Sequence, residues 1–209
     1  MPYSAVAASE TVVIVFVVEE KQKRYTLHKR LLTYYSGYFR RALVDGSEIY
    51  HVPAFAKFDA KDFDILVDWM YERNLDALIE NNSDEDILKA YILAENLSIG
   101  TLKNALMDIL FEWLPPCFLS AEDIGTIFER LPPNDPLLRL ATDVFCFNGC
   151  VEEMSNGHPE WVDHLPQAFL LGVIRRMYQR SKPPEADHKL KREDYNIVQS
   201  VSSKDKDGE

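Results

Sequence analysis

Hydrophobic positions near the start of the chain follow first a strand pattern and then a helix pattern. A continuous apolar run covers residues 12–18, a charged turn follows at 19–23, and a second strand-like segment covers 24–27. Two β-branched or aromatic runs around a short charged turn predict a β-hairpin. Apolar residues then recur every three to four positions, the spacing of one helix face: Leu31, Leu32, Tyr35, Phe39 and Leu43. This part of the chain therefore predicts a hairpin that leads directly into an amphipathic helix.

Further elements are predicted before the paired prolines at 115–116. A third short strand is predicted at residues 49–53, and a helix at about residues 60–72, where apolar side chains share one face. The sequence Ser83-Asp84-Glu85-Asp86 places a hydroxyl and three acids where a helix begins. A regular apolar stripe then covers the last predicted helix of this region. The order of elements predicts an α+β domain over residues 11–114, with a small β-sheet flanked by a helical cluster.

The remaining chain divides into a helical region and a tail. Prolines 115–116 end the first domain, because proline removes a helix donor. An all-helical extension is predicted over residues 117–178. Residues 179–209 are charged and contain few apolar side chains, so the burial they could achieve does not offset the entropy of ordering them. We therefore expect a disordered tail, and we expect its removal after Arg180 to leave thermal stability unchanged.

Short motifs follow one another through the first domain. They are Tyr25-Thr26-Leu27-His28-Lys29 with Leu32, Ser36, Phe39 and Arg40; Glu48 before the third strand; Phe63, Leu66, Val67, Trp69, Met70 and Tyr71; Leu88, Tyr91, Leu93, Ala94 and Leu97; and residues 102–110. In this order they resemble the BTB/POZ domain, particularly the kind found in many fungal proteins. The resemblance implies a BTB/POZ-like fold and a role in protein–protein interaction rather than in catalysis.

The same resemblance implies that the partners are proteins. Dimeric family members commonly begin with an extra helix and strand that exchange between subunits, and we expect the arm at residues 1–10 to be too short for that exchange. Self-association and pairing with other proteins both stay open. A narrower function is that of a substrate adaptor for a cullin-type ubiquitin ligase. Such adaptors often carry an acidic residue two places after a hydrophobic one in the 62–71 helix; after Phe63 that place holds Ile65, which weighs against the adaptor function.

The partner-binding surface is predicted on the outward sides of two helices, at residues 31–43 and 62–71. A standard interface buries ~800 Å² on each partner. The candidate residues are Tyr34, Tyr38, Arg41, Asp64, Asp68 and Tyr71. His28 is predicted to lie at a helix start with a fixed hydrogen bond. The extension has two open roles, which are to cover the core of the first domain and to add surface for a partner.

Charge and hydropathy restrict the classes of partner. The net charge is −11, with 34 acidic and 23 basic residues, so neither predicted ordered region offers the basic field that nucleic-acid binding needs. The longest apolar run, at residues 12–18, is far shorter than the ~20 residues of a membrane span. Residues 1–9 contain no basic residue and do not resemble a secretory signal. We therefore expect an intracellular protein of the cytoplasm or nucleus, with no nucleic-acid or membrane partner.

Reactive residues follow no recognised catalytic or metal-binding spacing. Cys146 and Cys150 lie one helical turn apart and His158 follows, but zinc needs four placed ligands and no fourth stands at a recognised spacing. Together with Cys117 they are interpreted as buried thiols. The chain lacks a glycine-rich phosphate loop and a G-x-S-x-G sequence. We therefore predict no catalytic residue, no cofactor and no metal, and an enzyme is the least favoured function.

Overall fold

The structure, a computed structural model, describes most of the chain in nine stretches. These are residues 6–18, 21–44, 48–51, 60–75, 79–80, 83–114, 119–147, 159–180 and 190–197. The hairpin turn at 19–20 and the thiols of Cys117 and Cys150 lie outside the described residues.

Three strands form one sheet in the order β2-β1-β3. β1 (Thr11–Val18) pairs antiparallel with β2 (Lys21–His28), and β3 (Ile49–His51) lies parallel to β1 on its other side. Val12 and Ile14 of β1 enter the main hydrophobic core, because alternate residues of a strand point to the same face. The predicted hairpin is confirmed with a shorter turn, because β2 begins at Lys21 and not at residue 24; the third strand is confirmed over residues 49–51, and residues 52–53 lie outside the described part of the chain.

Five helices of the described chain complete the first domain. They are α1 (Lys29–Tyr35), α2 (Gly37–Ala42), α3 (Ala60–Glu72), α4 (Asp84–Asn96) and α5 (Gly100–Trp113). The predicted start of α4 is confirmed, because the Ser83 hydroxyl accepts from the Asp86 N–H while the Asp86 carboxylate accepts from the Ser83 N–H. Most of α4 is buried, so it forms the centre of the helical cluster.

The single helix predicted over residues 31–43 is wrong, because the chain breaks at Ser36. Ser36 has an extended backbone (φ −103°, ψ 117°), and its hydroxyl oxygen accepts from the N–H of Phe39 at the start of α2. The same hydroxyl donates to the carbonyl of Leu97 at 2.6 Å. The buried Ser36 therefore ends one helix, begins the next and fixes both against the end of α4.

The predicted helical extension is present, and it packs on the first domain. It contains α6 (Ala121–Arg130), α7 (Pro136–Phe147), a 3-10 helix (Pro159–His164) and α8 (Gln167–Arg180). Apolar residues of α7 join the main core, and α6, α7 and α8 share a second, smaller core around Phe169. The extension therefore covers the core of the first domain, which was one of its two predicted roles.

Residues 190–197, here called the C-terminal peptide, are an ordered segment within the tail predicted to be disordered at residues 179–209. This peptide contains a 3-10 turn (Arg192–Tyr195), and Tyr195 is 1% exposed within the main core. Leu190 and Ile197 are partly buried against the same core. A few well-placed side chains therefore order a segment whose average composition is polar. Residues 179–180 belong to α8, and residues 181–189 and 198–209 lie outside the described part of the chain.

Candidate protein-binding surface

The outward side of α3 carries an acidic row. Asp64, Asp68 and Glu72 follow one another at four-residue spacing, which aligns them on one helix face. Lys23 of β2 holds Asp64 with its Nζ 2.6 Å from each carboxylate oxygen, and the Tyr25 hydroxyl donates to Asp64 at 2.9 Å. Partial burial raises the pKa of the Asp68 carboxyl, and the neighbouring charges of Asp64 and Glu72 raise it further. The row is therefore a region of negative potential with Lys23 at one end.

Tyr71, near the end of α3, connects that helix to the junction of β2 and α1. The backbone N–H of His28 donates to the Tyr71 hydroxyl oxygen at 3.2 Å, and His28 Nδ1 lies 2.9 Å from the same oxygen. His28 is the N-cap residue of α1. The predicted placement of His28 at a helix start, with a fixed hydrogen bond, is confirmed.

An aromatic stack joins α1 to the end of α3. Tyr34 meets Tyr35 edge-on at 4.8 Å between ring centroids, and Tyr35 meets Trp69 at 5.4 Å. The Arg73 guanidinium lies 4.2 Å from the centroid of the Trp69 ring and 4.9 Å from that of Tyr35. Arg73 has a left-handed backbone (φ 57°), a conformation that costs a non-glycine residue energy. Its cation–π contacts with both rings stabilise this conformation.

A cavity of about 390 Å³ lies beside this stack. Its lining residues come from the N-terminal arm, α1, α3 and the start of α5: Val6, Leu31, Tyr34, Tyr35, Met70, Tyr71, Arg73 and Thr101. Tyr34 is 53% exposed, so its ring is offered to solvent next to the cavity. Two of the six predicted residues, Tyr34 and Tyr71, are therefore brought together at one site.

Tyr38 and Arg41 of α2 are not among the residues that line the cavity. The Tyr38 hydroxyl lies 2.7 Å from that of Tyr50 on β3, and burial raises the pKa of Tyr38 well above its ordinary value, with the Tyr50 hydrogen bond adding to the shift. Tyr38 therefore braces α2 against the sheet. Arg41 is exposed. Arg73 was missed by sequence reasoning, since nothing in the apolar periodicity marks a residue just beyond the end of a helix.

Metal-binding clusters and membrane-spanning helices are both absent from the described residues. Those residues hold no group of three or more His, Cys, Asp or Glu side chains that could bind a metal ion. Cys146 is buried, as predicted. None of the described helices has both the length and the apolar character needed to cross a membrane.

A family model described as the BTB/POZ domain matches residues 7–112. The chain belongs to the BTB/POZ domain family. BTB/POZ domains are protein–protein interaction modules that bind other proteins and self-associate, and the family is not one of enzymes. No curated protein matches the chain. The BTB/POZ match ends within α5, so the aromatic stack and the acidic row lie inside it and the extension follows it.

Proposed function

We propose that this BTB/POZ chain assembles with protein partners through the face formed by α1 and α3. The observation that carries the proposal is the half-exposed Tyr34 beside the 390 Å³ cavity, supported from behind by the stack of Tyr35, Trp69 and Arg73. Rigid aromatic and arginine side chains next to a pocket dominate the binding energy of many protein interfaces. The partner is either a second copy of the chain or a different protein.

The acidic row on α3 supports a partner with basic residues opposite it. Asp68 and Glu72 lie one helical turn apart, and their mutual repulsion favours a nearby positive charge. A basic partner would relieve that repulsion when it binds. Such charge complementarity acts mainly on orientation and association rate. The aromatic site would supply most of the binding affinity, and the acidic row would fix the orientation of the partner on the α1–α3 face.

Adaptor function for a cullin-type ligase is the narrower alternative. The position where adaptors often carry a carboxylate holds Ile65, which is only 4% exposed. This residue offers neither charge nor contact area to a partner, so the observation weighs against the alternative. We further propose that the chain acts inside the cell, in the cytoplasm or nucleus, as a binding protein and not as an enzyme, and without nucleic-acid or membrane partners.

The test places a photo-crosslinking amino acid at position 34 or, as a matched control, at position 178. Tyr178 is also a highly exposed tyrosine, 70% accessible, but it lies on α8 of the extension. After irradiation in cells, we expect protein adducts from position 34 and few or none from position 178. Mass spectrometry of the adducts then distinguishes a second copy, a cullin and another protein. The proposal is wrong if position 34 gives no adducts above the level of the control.

A further inference from the structure

The C-terminal peptide lies against α5 and α7 with Tyr195 as its buried anchor. The Tyr195 ring is 5.7 Å from the Phe111 ring centroid, and the Arg139 guanidinium lies 4.9 Å from the centroid of Tyr195. The hydroxyl donates to Asp143 Oδ2 at 2.6 Å. Burial raises the pKa of this hydroxyl far above its ordinary value, and the hydrogen bond to Asp143 adds to the shift. The site therefore recognises the ring and the hydroxyl of a tyrosine separately.

A second anchor lies three residues earlier in the peptide. Arg192 Nε donates to Asp108 Oδ1 at 2.6 Å, and Nη2 donates to the Asn104 carbonyl of α5 at 3.4 Å. Nη1 donates to the Tyr195 carbonyl at 3.3 Å, which closes the 3-10 turn. Ile197, two residues after Tyr195, is partly buried against the main core. The main body of the protein thus contacts an arginine, a tyrosine three residues later and an apolar residue two residues after that.

The peptide is attached mainly through its side chains. Its own backbone hydrogen bond, from Asp194 N–H to the Lys191 carbonyl at 3.1 Å, is internal to the turn. Residues 181–189, which include Pro183 and Pro184, separate it from α8. Short peptides held in a groove by a few anchoring side chains are a recurring mode of peptide recognition, whereas a strand built into a sheet would share backbone hydrogen bonds with its neighbours.

The binding groove is organised by contacts that do not involve the peptide. Arg176 of α8 holds Asp143 with Nε 2.5 Å from Oδ1 and Nη2 2.6 Å from Oδ2. α7 packs directly on α8, and Gly172 faces Thr142 closely enough that a Cβ there would lie 3.1 Å from the Thr142 methyl carbon. A cavity of about 680 Å³ remains beside the peptide, and its lining includes residues of α7 and α8 together with Glu193, Asp194 and Asn196. The acceptor for the tyrosine hydroxyl is therefore positioned in advance.

We propose that the groove between α5 and α7 is a binding site for short peptides of the pattern Arg-x-x-Tyr-x-Ile, and that the C-terminal peptide is its resident ligand. This site is separate from the α1–α3 face and does not depend on the function proposed for that face. The resident peptide is delivered by a short connection, which raises its local concentration to the order of millimolar. A peptide added in solution must compete with that local supply, so binding should be weak while the resident is docked.

The test uses the full chain with Arg192→Ala and Tyr195→Ala, which disables the resident peptide and leaves the groove unchanged. The probe is a fluorescein-labelled synthetic peptide with the sequence of residues 188–199, and binding is followed by fluorescence anisotropy. We expect saturable binding to the double variant and at least tenfold weaker binding to the wild-type chain. A probe with Tyr195→Ala should bind at least tenfold more weakly, whereas a matched probe changed at the exposed Lys191 to Ala should bind within about twofold.

Two results would overturn the proposal. One is an absence of saturable binding by a double variant whose circular dichroism is that of the folded chain; the other is equal binding by wild type and double variant. A second measurement decides the question even if the double variant unfolds. In the wild-type chain, tetranitromethane should nitrate the buried Tyr195 at least a hundredfold faster than the buried Tyr91, because the peptide leaves without global unfolding. Equal protection would show that the peptide is an inseparable part of the core.

Discussion

Lys103 Nζ lies 2.5 Å from Asp135 Oδ2, and both side chains are almost completely buried. Lys103 belongs to α5 of the BTB/POZ domain, and Asp135 directly precedes α7 of the extension, where it also accepts from the Leu137 N–H. Glu95 accepts a second bond from Lys103 at 2.6 Å, and the Tyr91 hydroxyl donates to Asp135 at 2.9 Å. Burial raises the pKa of Tyr91 far above its ordinary value, so it remains a donor. A satisfied polar network thus joins domain and extension.

Removal of Lys103 should therefore be costly. Lys103→Met leaves Asp135 buried without its cation, and breaking a buried pair in this way typically costs ~3–5 kcal/mol. The free energy of unfolding, measured with urea, should fall by about that amount. The double variant with Asp135→Leu should lose less than the sum of the two single variants, which a double-mutant cycle measures. Strict additivity would show that the two residues do not act as a pair.

Truncation after Arg180 should lower stability, contrary to what composition suggests. It removes Tyr195 from the main core, but it also removes the entropy cost of ordering the C-terminal peptide. The net loss should be about 1–3 kcal/mol, less than the ~3–5 kcal/mol typical of an aromatic residue lost from a rigid core. In a thermal scan each kcal/mol corresponds to about 2–4 °C for a chain of this size. Tyr178→Ala, at an exposed site, should leave the melting temperature almost unchanged, and an unchanged truncated chain would contradict the observed packing.

Ser36→Ala should destabilise the junction of α1 and α2. The substitution removes the acceptor for the Phe39 N–H and the donor to the Leu97 carbonyl, both within the buried interior. Losing a cap and leaving a buried carbonyl unsatisfied should cost about 1–3 kcal/mol. Ser120→Ala is the matched control, because that serine caps α6 in the same way but is exposed; it should cost about 0.5–1 kcal/mol. Equal losses at the two sites would show that the Leu97 contact is unimportant.

Asp68→Asn should stabilise the chain at neutral pH and not in acid. The pKa of Asp68 is raised in the folded state, so folding favours the protonated carboxyl and ionisation destabilises the fold. This destabilisation is present at pH 7, and it is lost as the pH falls below the ordinary aspartate pKa of about 4. The difference in urea midpoint between variant and wild type should therefore be positive at pH 7 and vanish near pH 3. Asp84→Asn, in the first turn of α4, should have the opposite sign at pH 7, because an acid there is favourable.

Local signals predicted most of the BTB/POZ fold. The hairpin, the helix start at Ser83, and the apolar faces of α3 and α5 depend on neighbouring residues, which the sequence displays directly. The break at Ser36 was missed because the apolar spacing continues across it and its decisive partner, the Leu97 carbonyl, is 61 positions away. Tyr195 was missed because a composition average conceals one well-placed aromatic ring.

The candidate site was predictable only in part, for a related reason. Helix periodicity placed Tyr34 and Tyr71 on outward faces, and the structure brings both to one cavity. Helix periodicity could not show that the Tyr38 hydroxyl contacts the Tyr50 hydroxyl of β3, because that contact depends on how the sheet packs against α2. Nor could it show that Arg73 turns back over Trp69, which requires a left-handed backbone just after α3.

The docked position of Tyr195 reduces the solvent-exposed surface of the BTB/POZ domain along α5. In a domain that ended with α5, the side carrying Asn104, Asp108 and Phe111 would face water and be accessible to other proteins. Here that side is covered by Arg192 and Tyr195 of the C-terminal peptide and adjoins the extension. If the proposed exchange occurs, an added peptide must displace residues 190–197 before it can bind there, whereas Tyr34 on the α1–α3 face is already half-exposed.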